Sequence, residues 1–453
     1  MAAIPPAPIR RAPIRRAAVR WAPWALALAA CAAPLSAQEQ EPAGAVRLGL
    51  TYEPGYVPGM VIVPVSAATG LDPLAEAVGE ILRTDLDYSD RFDIIELPDT
   101  VSLSGPQNYA LWNQLGAVWL VTSEVSFAPG TQTPILRVGL HDVVYGNLAN
   151  VQAFSLPEPG ADDFRMAIHR VSDQIVSWAT GGQRGIAATR IALRRKDGAG
   201  SSHILLIDSD GHNPRRLSGG GQNVFSPAYS RDGMRLAYTI QDETGHFALV
   251  EANLITGSRR TVASGTLLMS PAYATDGRLA YAEGVGGGSR ILFEGAELLT
   301  EGRGRALNPS FSPDGAWFAY EAAPADEPQI YVRRISGGPA RRISIYVRRE
   351  DTNAAGPTWS PNGDRIAYAA LSNSRWQIFT VNPDGTDRRM LTRRGESEDP
   401  SWAPDGRHIV FASRDAQGSA IWILDTATGR ARLLTAGRLD GLPDWSPPLP
   451  PGS

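Results

Sequence analysis

The side chains of this 453-residue chain that could carry chemistry are six histidines, one cysteine and one acidic loop. The histidines are scattered, at positions 141, 169, 203, 212, 246 and 408, and no two have the spacing of a zinc motif. The segment Asp208-Ser-Asp-Gly-His-Asn213 is similar to a calcium loop but lacks the downstream glutamate, which favours a hairpin turn. No Gly-x-Ser-x-Gly nucleophile motif is present in the sequence. We therefore predict no catalytic residue, no metal ligand and no cofactor.

Six copies of one pattern organise the C-terminal part of the chain. Each copy has a proline, any residue and an aromatic residue, and all but the last continue through an Asp-Gly or Asn-Gly turn into a second strand. Such pairs adopt the positive φ that hairpin turns require. The copies start 38 to 48 residues apart, at Pro227, Pro271, Pro309, Pro357, Pro400 and Pro443. A repeat of about 40–45 residues with four short strands is typical of a β-propeller blade.

The first and last copies are incomplete in complementary ways. Three strand candidates, Thr189–Leu193, His203–Ile207 and Arg215–Leu217, have no aromatic box ahead of them. The last box, Pro443–Ser446, has no strands after it. We predict that this last segment supplies the missing inner strand, which closes a ring of six blades over residues 186–447 and removes exposed strand edges. The box aromatics and the Asp-Gly pairs are expected to be packing and turn residues.

The beginning of the chain is typical of an export signal. Its first 37 residues contain five arginines and no acidic residue, and an apolar run covers Trp21–Ala33. Cleavage after Ala37 would change the formal net charge from −4 to −9, which disfavours nonspecific nucleic-acid binding. The segment Leu28-Ala-Ala-Cys31 resembles a lipidation box instead, and both alternatives stay open. Cys31 is the only cysteine, which excludes a disulfide framework.

A polar segment with one strand candidate, Val46–Leu50, covers residues 38–58, and an α/β domain is predicted over residues 59–181. Apolar residues at helical spacing follow Asp72-Pro73, which is the pattern of an N-cap with proline at the first helical position. Further predicted elements are strands at Met60–Val65, Phe92–Leu97, Ala117–Val125, Ile135–Leu140 and Val151–Phe154, and helices at Tyr109–Leu115 and Phe164–Trp178. Residues 448–453 form a tail.

The chain resembles the TolB family, the periplasmic propeller proteins of the Tol–Pal system. The resemblance is carried by the export signal, the domain order and the repeated Ser-Pro-Asp-Gly boxes. It also includes the segments Gly185–Ala192, Ser209–Asn213 and Pro443–Pro447. It implies a non-enzymatic periplasmic adaptor, a monomer associated peripherally with the outer membrane. Such an adaptor supports outer-membrane integrity and constriction during cell division.

The resemblance implies two protein partners. The peptidoglycan-associated lipoprotein Pal would bind loops just before the Pro-x-aromatic strands, and TolA would contact the N-terminal strand. The matching Pal positions are Leu267, Leu268, Met269, Ser270, Leu307, Asn308, Ala355, Gly356, Glu398, Asp399, Gly441 and Leu442. The matching TolA positions are Val46, Arg47, Leu48, Gly49 and Leu50.

Several alternatives stay open at this point. The apolar run Leu267–Met269 is either a contact patch or strand packing, and Val46–Leu50 either binds TolA or docks on the neighbouring domain. A propeller scaffold that binds another envelope or glycan ligand is the second function considered. A propeller-containing hydrolase is the third, although no hydrolase-sized segment follows the propeller. A calcium ion in the central channel also stays open.

Overall fold

The computed structural model describes residues 56–98, 107–197, 200–219, 222–293, 296–297, 300, 304–324, 327–344, 353–437 and 439–450. All described residues belong to one compact unit. The predicted export signal with Cys31, the strand Val46–Leu50 and most of the 346–355 loop lie outside the described residues.

The first described part is a mixed sheet covered by helices. Its strand order is β3-β1-β4-β5-β6, with β2 paired to β4. The strands are β1 Gly59–Ile62, β2 Ser66–Ala67, β3 Asp93–Ile94, β4 Ala117–Phe127, β5 Pro134–Asp142 and β6 Asn147–Ser155. The helices are α1 Asp72–Tyr88, α2 Tyr109–Gln114 and α3 Phe164–Ala179.

The apolar residues that recur at helical spacing in the sequence form the buried faces of α1 and α3. Leu74, Val78, Leu82 and Leu86 of α1 are buried in one core cluster together with Ile168, Val171 and Ile175 of α3. This cluster also contains sheet residues of β1, β4 and β5. Burial of apolar side chains on one stripe of each helix therefore fixes both helices against the sheet.

Two local predictions in this region were wrong. Asp72 is the first residue of α1 and not its N-cap, which is Leu71, and no side chain caps the helix. Pro73 still lies in the first turn, where its missing N–H leaves no helical hydrogen bond unmade. The strand expected over Phe92–Leu97 is reduced to Asp93–Ile94, because only this edge pairs with β1.

Six four-stranded sheets make up the second described part. Blade 1 contains β7 Arg190–Lys196, β8 Ser202–Asp208 and β9 Arg215–Arg216, and blade 2 contains β10 Asn223–Tyr229, β11 Arg235–Gln241, β12 Phe247–Asn253 and β13 Arg259–Gly265. Blade 3 contains β14 Leu268–Tyr273, β15 Leu279–Val285, β16 Gly288–Phe293 and β17 Ala296–Glu297. Blade 4 contains β18 Arg305–Phe311, β19 Trp317–Ala323, β20 Gln329–Arg334 and β21 Arg341–Arg342. Blade 5 contains β22 Ala354–Trp359, β23 Ile366–Ser372, β24 Arg375–Val381 and β25 Arg389–Met390, and blade 6 contains β26 Glu396–Trp402, β27 His408–Asp415, β28 Gly418–Asp425 and β29 Ala431–Leu433.

The last strand closes the ring. β30, Asp440–Trp445, pairs antiparallel with β7, so that blade 1 has the strand order β30-β7-β8-β9. Two contacts fix this junction: Arg195 binds Asp440 through Nε–Oδ1 and Nη2–Oδ2 at 2.7 and 2.8 Å, and the Trp445 indole N–H donates to Thr189 Oγ1 at 2.8 Å. The prediction of six blades sealed by the C-terminal strand is confirmed.

The box aromatics are packing residues, as predicted. Each lies in the inner strand of its blade and is at least nine-tenths buried, in the order Tyr229, Tyr273, Phe311, Trp359, Trp402 and Trp445. They belong to the core clusters that fill the space between neighbouring blades. Because a single four-stranded sheet buries little apolar area alone, stacking of the blades stabilises each of them.

Candidate partner-binding site at the channel mouth

The inner strands surround a central channel. Each first strand contacts the first strands of both neighbouring blades. The channel holds a cavity of about 480 Å³, lined by the six Pro-x-aromatic segments and their flanking residues. Side chains of six different blades therefore meet around one space, as a site for a protruding partner segment requires.

Every inner strand is bent at the same point. The residue before each box proline has a left-handed backbone, with φ between +47° and +59°, at Ser226, Ser270, Asn308, Gly356, Asp399 and Leu442. In each blade this residue and its proline stand opposite a single residue of the second strand, which is the two-against-one count of a β-bulge. The proline cannot donate to the ladder, so the sequence itself interrupts the pairing there.

The bulges decide where the predicted Pal positions lie. We expected loops just before the strands, and this was wrong: apart from Leu267, the positions lie inside the inner strands, within two residues of the bulges. The structure thus places the predicted positions of five blades in one ring. Sequence reasoning missed Ser226, the equivalent residue of blade 2, although its place before Pro227 could have revealed it.

The apolar run in blade 3 is split between core and surface. Leu268 is buried among Leu249, Tyr273 and Tyr281, so it is a packing residue. Leu267 and Met269 are half-buried. Leu268 thus takes the packing role that the sequence left open, while its two neighbours keep apolar surface available for contact.

Hydrogen bonds link the bulges of three adjacent blades. The Ser270 hydroxyl donates to Asn308 Oδ1 at 2.6 Å, and the Asn308 amide donates to Glu321 Oε2 at 2.8 Å. The Gly356 backbone N–H donates to the same carboxylate oxygen at 3.4 Å. Burial raises the pKa of Glu321 although these donors oppose the rise. The chain of contacts makes blades 3, 4 and 5 one rigid arc of the mouth.

Acidic side chains dominate the arc that blade 6 contributes. Burial raises the pKa of Asp399, and burial together with repulsion from Asp399 raises that of Glu398. A second cavity of about 450 Å³ adjoins this arc and is lined by Arg194, Glu396 and Arg414 among others. Two neighbouring carboxylates held in a partly desolvated place favour a partner that brings a positive charge.

In blades 1, 4 and 6, the side chain of the residue after the box proline forms a hydrogen bond with a neighbouring blade. Asp444 Oδ2 accepts the backbone N–H of Tyr229 at 2.7 Å, and Asp444 Oδ1 accepts the hydroxyl of Ser401 at 3.0 Å. Burial raises the pKa of Asp444 to about 6. Ser310 Oγ likewise accepts the backbone N–H of Trp359 at 2.9 Å. These bonds hold the ring at fixed diameter, so the mouth is preorganised.

The predicted Pal positions of blade 6 precede the turn that contacts the α/β part. The turn after β26 contacts that part, because Arg91 pairs with Asp405 and Arg407 donates to the Asp90 carbonyl oxygen at 2.5 Å. Glu398 and Asp399 lie in the first half of β26, before this turn.

The described residues contain one group of acids and histidine close enough to share a cation, namely Asp85, His169 and Asp210. It lies between α1, α3 and blade 1, away from the channel mouth, and its spacing along the sequence gave no sign of it. The mouth residues described above are engaged in packing, in hydrogen bonds or in charge pairs, an arrangement suited to docking. None of the described helices has the length and apolar character that a membrane crossing requires.

Comparison with known proteins identifies the family. Residues 179–449 match the TolB beta propeller domain, and residues 57–149 match the TolB amino-terminal domain. The chain belongs to the TolB family. The two matches cover all six blades of the propeller and the greater part of the α/β region, so the resemblance predicted from the sequence is confirmed.

The TolB proteins compared with this chain are distant relatives. The Tol-Pal system protein TolB of Bordetella pertussis is 28% identical over 374 residues, which cover 71% of this chain and 83% of that protein. The protein of the same name from Legionella pneumophila strain Corby is 29% identical over 198 residues, which cover 43% and 45%. The crystal structure of TolB from Acinetobacter baumannii has a TM-score of 0.74 at 24% identity and covers 87% of this chain and 98% of that one. This last likeness concerns the fold alone.

Proposed function

We propose that this TolB-family chain is a non-enzymatic periplasmic adaptor of the Tol–Pal system that binds Pal at the channel mouth and TolA through Val46–Leu50. In this role it would couple the outer membrane to the cell wall during constriction at division. The observation that carries the proposal is the ring of six bulges, which places half-buried apolar and acidic side chains around one preorganised channel.

The Pal part of the proposal rests on blade 3 and blade 6. Leu267 and Met269 offer half-buried apolar surface, and Glu398 and Asp399 offer negative charge across the same mouth. Interfaces combine such an apolar centre with polar groups at the rim. Because the ring is held by inter-blade hydrogen bonds, little ordering entropy would be lost on binding.

Calorimetry with purified Pal tests this assignment. We expect Leu267→Asp combined with Met269→Asp to weaken the affinity about tenfold or more, because it places charge in the apolar centre. Leu433→Asp is the matched control, since Leu433 is half exposed on the outer strand β29 and far from the mouth along its blade. Unchanged affinity in the double variant, with an unchanged melting temperature, would remove blade 3 from the contact surface.

The TolA part of the proposal is tested by deletion of residues 38–50. We expect the shortened protein to lose TolA binding and to keep the cooperative melting transition of the propeller. Loss of that transition would instead make the segment a structural strand. Pulldown from envelope extract with the mature chain as bait separates both partners from a glycan or other envelope ligand.

Export to the periplasm belongs to the same proposal. We expect the protein isolated from the cell envelope to have the intact mass of a chain that begins at Gln38, after cleavage at Ala37. A mass that includes a lipid on Cys31 would instead indicate a membrane anchor.

A further inference from the structure

Two completely buried histidines lie where the α/β part meets the propeller. His169 is on α3, and His408 begins β27 of blade 6. Each ring faces one carboxylate of its own part of the protein and at least one carboxylate of the other part. Neither histidine belongs to the channel mouth, so a role for this pair is independent of partner binding there.

His169 lies between α1 and blade 1. Its Nδ1 is 2.8 Å from Asp85 Oδ2, and the Ser172 hydroxyl donates to the same oxygen at 2.6 Å. Its Nε2 is 3.6 Å from Asp210 Oδ2 and 4.0 Å from Asp208 Oδ2, and this buried nitrogen has no hydrogen-bond partner among the described residues. A bare nitrogen lone pair aimed at two carboxylates would be repelled, whereas an N–H would be attracted.

His408 repeats this arrangement with the two parts exchanged. Its Nδ1 is 2.7 Å from Asp405 Oδ2 in its own turn, and its Nε2 is 3.2 Å from Asp90 Oδ2 at the end of α1. Both carboxylates are almost completely buried. A neutral imidazole can donate from one nitrogen only, so only the imidazolium makes both hydrogen bonds.

Other charges surround both rings. On the His169 side, Arg165 donates to Asp210 through Nε at 2.6 Å, and Arg190 donates to Asp208 through Nε at 3.1 Å. The Nδ1 atom of His212 is 3.4 Å from Asp210 Oδ2, and Arg432 and the buried Asp173 lie within electrostatic range. Each of the two propeller carboxylates thus has one arginine, and Asp85 has none among the ion pairs of the described residues. A proton on His169 supplies the balancing charge.

The His408 side is more crowded. Arg407 pairs with Asp425 through Nη2 at 2.6 Å, Arg430 pairs with both Asp87 and Asp90 at 3.1 Å, and Arg91 pairs with Asp405 at 3.3 Å. Burial is the largest single influence on the pKa of both histidines and lowers it. The hydrogen bonds and charges of the facing aspartates outweigh burial, and the pKa of both rings is raised.

We propose that His169 and His408 are both imidazolium ions in the folded protein and together form a proton-dependent latch between the α/β part and the propeller. The latch binds α1 and α3 to blade 1 at one end and to blade 6 at the other. A divalent metal at His169 would have to displace Arg165 from Asp210, so the proton is the cation that fits.

The direction of the pH dependence follows from linkage. A histidine whose pKa is raised by folding contributes stability that is fully present below its ordinary pKa of about 6.5 and is lost as pH rises through the raised value. Alkaline pH should therefore loosen the contact between the two parts while each part keeps its own core. In a periplasmic protein, such a contact would respond to the pH of the medium around the cell.

Nuclear magnetic resonance of the histidine rings in the full mature chain tests the charge state directly. We expect the rings of His169 and His408 to remain charged as the pH rises above the ordinary imidazole pKa of about 6.5. Burial lowers the pKa of His141 and His203, so these two should be neutral there and serve as internal references. Single His→Gln variants assign each signal. Neutral rings at 169 and 408 would overturn the proposal, as would a stoichiometric shift of the His169 signals on addition of zinc.

Hydrogen exchange then tests the latch itself. After correction for the intrinsic exchange rate, we expect protection of segments 85–91 and 205–213 to fall at least tenfold between about pH 6.5 and pH 9, while the β4–β5 hairpin stays protected. The double variant His169→Gln, His408→Gln should lose this pH dependence, and His246→Gln, on an exposed hairpin of blade 2, should keep it. A wild-type protein without the fall, or a double variant that retains it, would refute the latch.

Discussion

Replacement of Trp445 by alanine tests whether the last strand holds the propeller closed. Trp445 is 96% buried and packs with Ile191 and Leu193 of β7 and with Val410 of blade 6. Its indole N–H also donates to Thr189 Oγ1 at 2.8 Å. The Trp445 side chain thus contacts both blade 1 and blade 6, and its loss should weaken the junction at which β30 closes the ring.

The magnitude follows from these contacts. Truncation of a buried tryptophan to alanine costs about 3–5 kcal/mol, because the cavity is only partly refilled. The lost hydrogen bond adds about 1 kcal/mol, since the Thr189 hydroxyl keeps its bond to the Ile186 carbonyl oxygen. We expect a total destabilisation of about 4–6 kcal/mol.

Urea unfolding followed by circular dichroism measures this cost. Trp402→Ala is the matched control, because Trp402 is similarly buried and its indole donates to the Thr358 carbonyl oxygen at 3.2 Å. The strand that contains Trp402, β26, is connected to the next strand of its blade by a short turn, so Trp402 has no part in closing the ring. Combining Trp445→Ala with Thr189→Val should show a coupling of about 1 kcal/mol. If Trp445→Ala cost under about 2 kcal/mol while Trp402→Ala cost the amount usual for a buried tryptophan, the seam would not depend on the last strand.

Three smaller perturbations address the ring. Burial raises the pKa of Asp444 to about 6, so the contribution of this residue to stability should fall as pH rises from about 4 to 6, by up to about 1.4 kcal/mol per pH unit. In urea titrations, Asp444→Asn should remove this pH dependence of the unfolding free energy. Parallel slopes for both proteins would contradict the prediction. Ser310→Ala leaves the Trp359 backbone N–H without its acceptor and should cost about 1–2 kcal/mol by thermal unfolding; an unchanged melting temperature would mean that this bond is not important. Gly356→Ala places a Cβ in open space at φ +59°, so only backbone strain of about 1 kcal/mol is expected, and a loss above about 3 kcal/mol would indicate a steric clash instead.

Short-range turn chemistry explains why the propeller could be predicted. Each Asp-Gly or Asn-Gly pair forces a hairpin within a few residues of its aromatic box, so blade number follows from counting boxes. The closure was predictable because blade 1 lacks an inner strand and the last box lacks strands. The apolar stripes of α1 and α3 were predictable for the same reason, since helical spacing is local.

The bulges and the histidine contacts could not be predicted in the same way. Placement of the predicted Pal positions inside strands depends on pairing with a second strand, which the local sequence does not specify. Asp210 meets His169 only after the α/β part docks on blade 1, and His408 meets Asp90 only after docking on blade 6. Contacts between residues tens to hundreds of positions apart do not produce a periodic pattern in a sequence.

The pairing of β30 with β7 has a consequence for how the protein is made. The partners at this seam are about 250 residues apart; Arg195 and Asp440, for example, are separated by 245 positions. During synthesis β7 emerges long before β30, and until β30 arrives the edge of β7 has no neighbour on that side. We expect maturation to be slow and to require protection from aggregation until the final strand arrives.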